Sequence, residues 1–328
     1  MLPYVLTLGE TMGLFSGSRV GSFAHIGQTE IGVGGAESNV AVGLTRLGVN
    51  ASWIGRIGDD SIGNRVVREI RGEGVDVRAT IDPEALTGLM LKEFRGRGTS
   101  QVRYYRADSA GSRIHPIDVV PELVENATVI HLTGITPLLS ASARATCIEA
   151  AERARGAGVR VSLDINYRSS LAPVETASEI IGELAELADI VFGSQQEISL
   201  VAPSDVPSEV SNGSESESLR ALARALDPNG KKEVVLKLGE RGAATVTADA
   251  FYASAGHRVD VVDTVGAGDA FVAGYLSGDV QNWSIEQKLT RANACGALMC
   301  TVPGDWEASP TTAELDAFLD FGADPVSR

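Results

Sequence analysis

Two carboxylates bracket the run Asp263-Thr264-Val265-Gly266-Ala267-Gly268-Asp269, which passes directly into the small and apolar residues Ala270-Phe271-Val272-Ala273-Gly274-Tyr275. A Gly-Ala-Gly turn at the start of a helix leaves backbone N–H groups unpaired and pointing one way. With the helix dipole behind them they form a site for an anion, most often phosphate. An aspartate in the same turn would be repelled by that phosphate unless it accepts a proton from a hydroxyl attacking phosphorus. Asp269 is therefore read as a general base, and Gly266, Ala267 and Gly268 as the anion hole beside it. A dinucleotide-binding turn would require a third glycine three residues on, in an early strand–helix unit. Phe271 follows Gly268 instead, and the run lies late in the chain.

A second glycine-rich start, Gly32-Val33-Gly34-Gly35-Ala36-Glu37-Ser38-Asn39, repeats the same physics near the other end of the chain. Its glycines allow a ligand close to the backbone, and the Asn39 amide suits sugar hydroxyls, although an asparagine that only caps a packed helix fits the pattern equally well. Asp164, Asn166 and Arg168 alternate off the end of an apolar run, which points all three toward a ligand crevice if the strand pitch continues. Lys237-Leu238-Gly239-Glu240-Arg241-Gly242 follows another such run, with glycines that suit nucleotide phosphates or a bare hairpin turn. Glu197, after Ser194-Gln195-Gln196, offers one carboxylate, enough to hold Mg2+ through water because that ion takes few protein ligands. Tyr104 and Arg106 fall on one face of an alternating segment. The histidines His25, His115, His131 and His257 show no ligand spacing, and His131 reads as a satisfied core histidine.

The net charge of −15 over 328 residues disfavours nucleic acid and anionic membranes as partners. It also requires that any site for an anionic ligand be made locally positive by a few cationic side chains and helix N-termini. Cys147, Cys295 and Cys300 are too few and too scattered for a disulfide framework or a zinc site. No apolar run reaches the roughly 18 residues of a membrane span. The first residues read as a strand rather than a signal peptide, so the expected location is cytoplasmic.

The elements that would position these residues alternate. Strand-like runs at Tyr4–Leu8, Ala51–Ile54, Thr128–Leu132, Val159–Leu163, Asp189–Phe192 and Val234–Leu238 are interleaved with helical patterns at Ala36–Leu47, Ser61–Gly72, Ala141–Gly156 and Ala177–Ala188. This predicts an α/β fold, a doubly wound and mostly parallel sheet with helices on both faces. Two stretches, 12–33 and 87–107, carry alternating segments without a following helix. They read as antiparallel strands of a small separate sheet, a β-sheet lid on a discontinuous core of residues 1–11, 34–86 and 108–328. Ala202–Ser218, rich in Ser, Pro and Glu, reads as a mobile surface loop.

Taken together, these segments resemble the PfkB (ribokinase-like) carbohydrate kinases across essentially the whole chain. The resemblance is carried by Asp263–Phe271, by Gly34-Gly35-Ala36 through Leu47-Gly48, and by Gly55-Arg56-Ile57-Gly58-Asp59-Asp60 with Gly63. Within that family the chain is most similar to the kinases of 2-keto-3-deoxygluconate, through Val33–Ala41, Tyr104-Tyr105-Arg106, Ser109–Ser112, His131–Thr136, Asp164–Arg168 and Gly304-Asp305. The resemblance implies ATP- and Mg2+-dependent phosphorylation of the terminal hydroxyl of a sugar acid, with a lid over the sugar. Gly34, Gly35, Asn39, Tyr104, Arg106, Ile135, Arg168, Asp269 and Asp305 would then meet the sugar acid. Asn166, Arg168, Ser194, Lys237, Gly239, Gly242, Gly266, Gly268 and Asn293 would lie along the nucleotide. Many family members carry Asn where this chain has Ser194. A monovalent cation near Asp263 and a homo-oligomer formed through the lid are left open. Rival expectations are the galactonate epimer, fructose or ribose as substrate, or a sensor that binds sugar without turnover.

Overall fold

The computed structural model of the protein describes residues 3–96, 99–202 and 214–320. The strands are β1 (Tyr4–Leu8), β2 (Met12–Gly17), β3 (Thr29–Gly34), β4 (Asn50–Gly58), β5 (Asp76–Asp82), β6 (Leu89–Gly96) and β7 (Thr99–Tyr105). They continue with β8 (Val129–Thr133), β9 (Arg160–Asp164), β10 (Ile190–Gly193), β11 (Glu233–Lys237), β12 (Ala243–Val246) and β13 (Phe251–Ser254). Nine of them form one sheet in the order β13-β12-β11-β10-β9-β8-β1-β4-β5. Pairing is parallel from β5 to β11, and β12 and β13 add an antiparallel edge.

Alternation along each strand sends side chains to two cores. Leu6 and Leu8 pack with Ile130, Leu132, Cys147 and Ile181, under the helices Ala141–Gly156 and Val174–Leu187. Val5 and Trp53 pack with Val40, Leu44, Val272 and Tyr275 of the helices Ala36–Arg46 and Ala267–Val280. Burial on both faces explains why these strands read as near-continuous apolar runs. The chain leaves β1 toward β4 and β5, then returns to build β8 to β11 on the other side. The order therefore reverses beside β1, and a crevice opens past the C-terminal strand ends at such a point.

The second sheet runs β3-β2-β6-β7. It was expected to be antiparallel throughout. Its outer pairs are, but β2 and β6 run parallel because they enter from separate excursions of the chain in the same direction. Of the loop expected at Ala202–Ser218, residues 203–213 lie outside the described residues. Glu215–Ser218 instead opens the helix Glu215–Leu226, whose Ser214–Glu217 capping box the polar composition concealed.

One feature of the large sheet is polar. Thr7 is in register with Trp53 on one side and His131 on the other, so the three point to one face. Thr7 Oγ1, Trp53 Nε1 and His131 Nε2 are buried without a protein partner among the described residues. His131 was expected to be satisfied. Only its Nδ1 is, by Ser162 Oγ at 3.0 Å, and burial followed by the charge of Lys237 pushes its pKa down to about 3.

Candidate active site

The crevice past the strand ends is built from residues that each strand delivers as it finishes. Glu10 follows β1, Thr133 closes β8, Asp164 closes β9 and Lys237 closes β11. Two clefts meet there. One, of about 430 Å3, is lined by Glu10, Gly35, Asn39, Tyr104, Arg106, Ile135, Asp164, Asn166, Arg168, Glu197, Gly266, Asp269 and Asp305, among others. The second, of about 1190 Å3, is lined by Gly239, Gly242, Ala267 and Asn293, among others. Lys237, Thr264 and Gly268 border both, so the clefts are continuous beside Asp269.

Gly266 caps the Ala267–Val280 helix with φ 77°, a left-handed conformation that glycine takes without strain. A Cβ at Gly266 would also fall 2.0 Å from the Asp305 carbonyl oxygen. The helix begins at Ala267, so Asp269 lies in its first turn. Of the expected anion hole, the Ala267 N–H already donates to the Thr264 carbonyl at 3.3 Å. Among the described residues, the N–H groups of Gly266, Gly268 and Asp269 have no acceptor. Asn39 arrives on the Ala36–Arg46 helix, and its Nδ2 donates to Asp269 Oδ2 at 2.8 Å. Burial, with the Asp164 charge adding to it, raises the Asp269 carboxyl to about 7 against the lowering effect of that hydrogen bond. Such a carboxyl is half-ionised near neutral pH, which suits a general base.

The cationic side chains are mostly engaged. Lys237 Nζ lies 2.7 Å from both carboxylate oxygens of the buried Asp164. Arg106 pairs with buried Glu10 through Nε at 2.7 Å and Nη2 at 2.5 Å, and the Ser109 hydroxyl donates to the other Glu10 oxygen. Arg168 is exposed and, among the described residues, donates only to the carbonyl of Tyr167, at 3.3 Å. Asn166 has φ 40°, so the strand pitch stops at Asp164, yet all three alternating residues still border the cleft.

Several expected site residues do their work one step back. Gly34 packs against the cleft wall, where a Cβ would fall 2.3 Å from Asp305 Oδ2. Ser194 borders neither cleft. It caps the helix Gln195–Val201, with its hydroxyl accepting from the Glu197 N–H while Glu197 accepts the Ser194 N–H at 2.8 Å. Glu197 Oε1 also accepts from the Tyr167 N–H at 3.1 Å. Although burial opposes ionisation, Lys237 and the Ser194 hydrogen bonds hold Glu197 below the ordinary carboxylate range. Asn293 Nδ2 donates to the Ser254 carbonyl at 3.0 Å beside the larger cleft.

No cluster of three or more metal-type side chains occurs among the described residues. The donor set suits a hard cation held mainly by water, with the carboxylates of Glu197 and Asp164 at the cleft wall. Beside Asp263, where the sequence left a monovalent cation open, the structure places the Lys92 ammonium, with Nζ 2.5 Å from Asp263 Oδ2.

Sequence reasoning missed Glu10, Glu37 and Lys92. Glu37 Oε1 accepts from the Thr133 and Thr136 hydroxyls at 2.7 and 2.6 Å, tying the Ala36 helix to the end of β8. Glu10 had a usable signal, a charged residue just beyond the first parallel strand.

A parallel sheet with a crevice at its switch point, a small sheet beside that crevice and an aspartate in a Gly-Ala-Gly helix start together define a class. The chain belongs to the pfkB family of carbohydrate kinases, whose family model matches residues 3–312. It is accordingly a phosphotransferase with an alcohol group as acceptor. Among particular relatives, it is 37% identical over 320 residues to 2-dehydro-3-deoxygluconokinase of Bacillus subtilis, covering 96% of this chain and 94% of that one. It is 32% identical to 2-dehydro-3-deoxygalactonokinase of Haloferax volcanii, over 100% of both chains. A candidate ribokinase II of E. coli, solved in complex with ATP and Mg2+, superposes with a TM-score of 0.86 at 25% identity, covering 97% of this chain and 99% of that one.

Proposed function

We propose that the chain transfers the γ-phosphoryl group of ATP to the terminal hydroxyl of 2-keto-3-deoxygluconate, an older name for the 2-dehydro-3-deoxy acid. The observation that carries this reading is the place of Asp269, at the junction of the two clefts and beside three free N–H groups. The smaller cleft takes the sugar acid and the larger takes the nucleotide, so the hydroxyl and the γ-phosphorus meet over the helix start. Asp269 accepts the hydroxyl proton as the oxygen attacks. The N–H groups of Gly266, Gly268 and Asp269 stabilise charge on the transferred group, each well-placed donor contributing roughly 3–4 kcal/mol. Glu197 and Asp164, both at the cleft wall, would hold Mg2+ through water, and the ion would supply charge that offsets the phosphates. Arg168 has no carboxylate partner among the described residues and meets the substrate carboxylate. Arg106, neutralised by Glu10, places its remaining N–H groups on the same substrate. The four-stranded sheet bears Tyr104 and acts as a lid that excludes water.

ADP release tests the reading directly, with 2-keto-3-deoxygluconate, its galactonate epimer, fructose and ribose as acceptors. Preferential turnover of the two keto-deoxy acids is expected. Preference for fructose or ribose would overturn the substrate while keeping the base, and binding without turnover would favour a sensor.

A further inference from the structure

Lys92 is an odd residue for its place. It sits in β6, the second of the small sheet's two central strands, directly after the apolar run Leu89-Met90-Leu91 and before Glu93, and it is fully buried. Its ammonium reaches out of that sheet into the core. Nζ lies 2.5 Å from Asp263 Oδ2, 3.3 Å from Asp305 Oδ1 and 2.7 Å from the Gly304 carbonyl oxygen. Both carboxylates are themselves buried. Asp263 is saturated: its Oδ1 accepts the Ser100 hydroxyl of β7 at 3.1 Å and the Val265 N–H at 3.3 Å, and its Oδ2 accepts the Gly304 N–H at 3.4 Å. Two strands of the small sheet thus hold the residue that opens the Asp263–Asp269 turn. The third partner, Asp305, presses its backbone on Gly266 and its carboxylate on Gly34.

A buried ammonium with full oxygen partners is costly to assemble, and removing it strands two carboxylates. Three inward oxygens of carboxylate and carbonyl type are also what a desolvated monovalent cation takes in place of its hydration shell. In this chain the lysine already holds that place.

We propose that Lys92 is a positioning residue, a tethered cation that locks the small sheet to the Gly266–Asp269 turn and makes turnover independent of any added monovalent cation. The inference rests on that turn being the reacting site. It reaches the chemistry through Asp263 and Asp305, since Lys92 borders neither cleft.

The test compares full-length wild type with Lys92→Ala, in buffers whose only monovalent cation is tetramethylammonium and then with added K+ or propylammonium. Wild-type turnover and Tm are expected to change by less than about twofold and not at all, respectively, across these salts. In tetramethylammonium the variant is expected to lose about tenfold or more in kcat with KM for ATP little changed, and either added cation restores both kcat and Tm. A general loss of packing would not respond to the cation. Activation of the wild type by K+ beyond about fivefold would overturn the proposal, and that measurement stands even if the variant does not fold. So would a variant that keeps its kcat, or one whose kcat and Tm no cation recovers. If the wild type turns over none of the sugars, the salt-dependent Tm comparison decides alone, which separates failure here from failure of the substrate assignment.

Discussion

For Asp269 in its proposed role as base, the requirements of folding and of catalysis pull in opposite directions. A base must lose its proton to work, while burial favours keeping it, and the carboxyl is held at about 7 between them. The kcat/KM profile of the free enzyme should therefore climb with pH through about 7 and then level off. Stability runs the other way. The native state keeps a proton that the unfolded chain gives up, so this carboxyl's contribution is complete below its ordinary 3.8 and is lost as pH rises through about 7. Asp269→Asn should cut kcat by roughly three or more orders of magnitude with little change in KM. It should also melt higher than wild type at pH 8 and nearly level with it at pH 4. Residual activity within about tenfold would remove Asp269 from the base role. Arg106 behaves differently, because its partner Glu10 is buried. Arg106→Met should destabilise the fold by about 3–5 kcal/mol in denaturant melts, beyond any effect on the substrate.

The proposed base is aimed by two helices that touch through very small residues. A Cβ at Gly43 of the Ala36–Arg46 helix would lie 2.7 Å from Ala273 Cβ of the Ala267–Val280 helix, so the two backbones approach closely there. Asn39, one turn before Gly43 on the same face, is thereby brought to Asp269. Gly43→Val should push the helices apart and lengthen that hydrogen bond. Since a 1 Å misplacement costs about a hundredfold, kcat should fall by roughly ten- to a hundredfold. The rising limb of the pH profile should also move to higher pH, as the bond that lowers the Asp269 pKa weakens; a limb that stays in place would rule out this route. The helices and parallel strands were legible because each buries a face with its own period, as Ser61–Gly72 and Ala141–Gly156 show with unchanged limits. The Gly-Ala-Gly turn was legible because its residue types serve a local conformation. Glu10, Lys92 and the parallel β2–β6 pair were not, because each depends on partners far along the chain: Arg106, Asp263 and a second excursion of the backbone. Gly34 stands behind the cleft wall for the same reason, since what it packs against is Asp305, whereas Ser194 turned out to cap its own helix through the nearby Glu197.

Across the whole molecule, a formal charge of −15 surrounds a cleft that the proposed reaction would fill with anions. Lys237 and Arg106 are already paired with carboxylates, which in that reaction would leave Arg168, the helix start and any bound Mg2+ to favour binding. Moderate salt, which shortens the Debye length to about 10 Å at 0.1 M, should screen the outer repulsion and raise kcat/KM for the acid. A steep fall with salt would mean that local positive charge dominates instead. The seam of Thr7, Trp53 and His131 has a different kind of consequence. Neighbouring strands lie about 4.8 Å apart, so a hydroxyl and two ring nitrogens in register make a polar seam across an otherwise apolar face of the sheet. A buried polar group left without a partner costs about 1–3 kcal/mol, so the sheet gives up stability at its own centre. Thr7→Val removes one such group at nearly constant volume and should raise Tm while leaving turnover unchanged; a lower Tm would mean that the hydroxyl contributes to the fold.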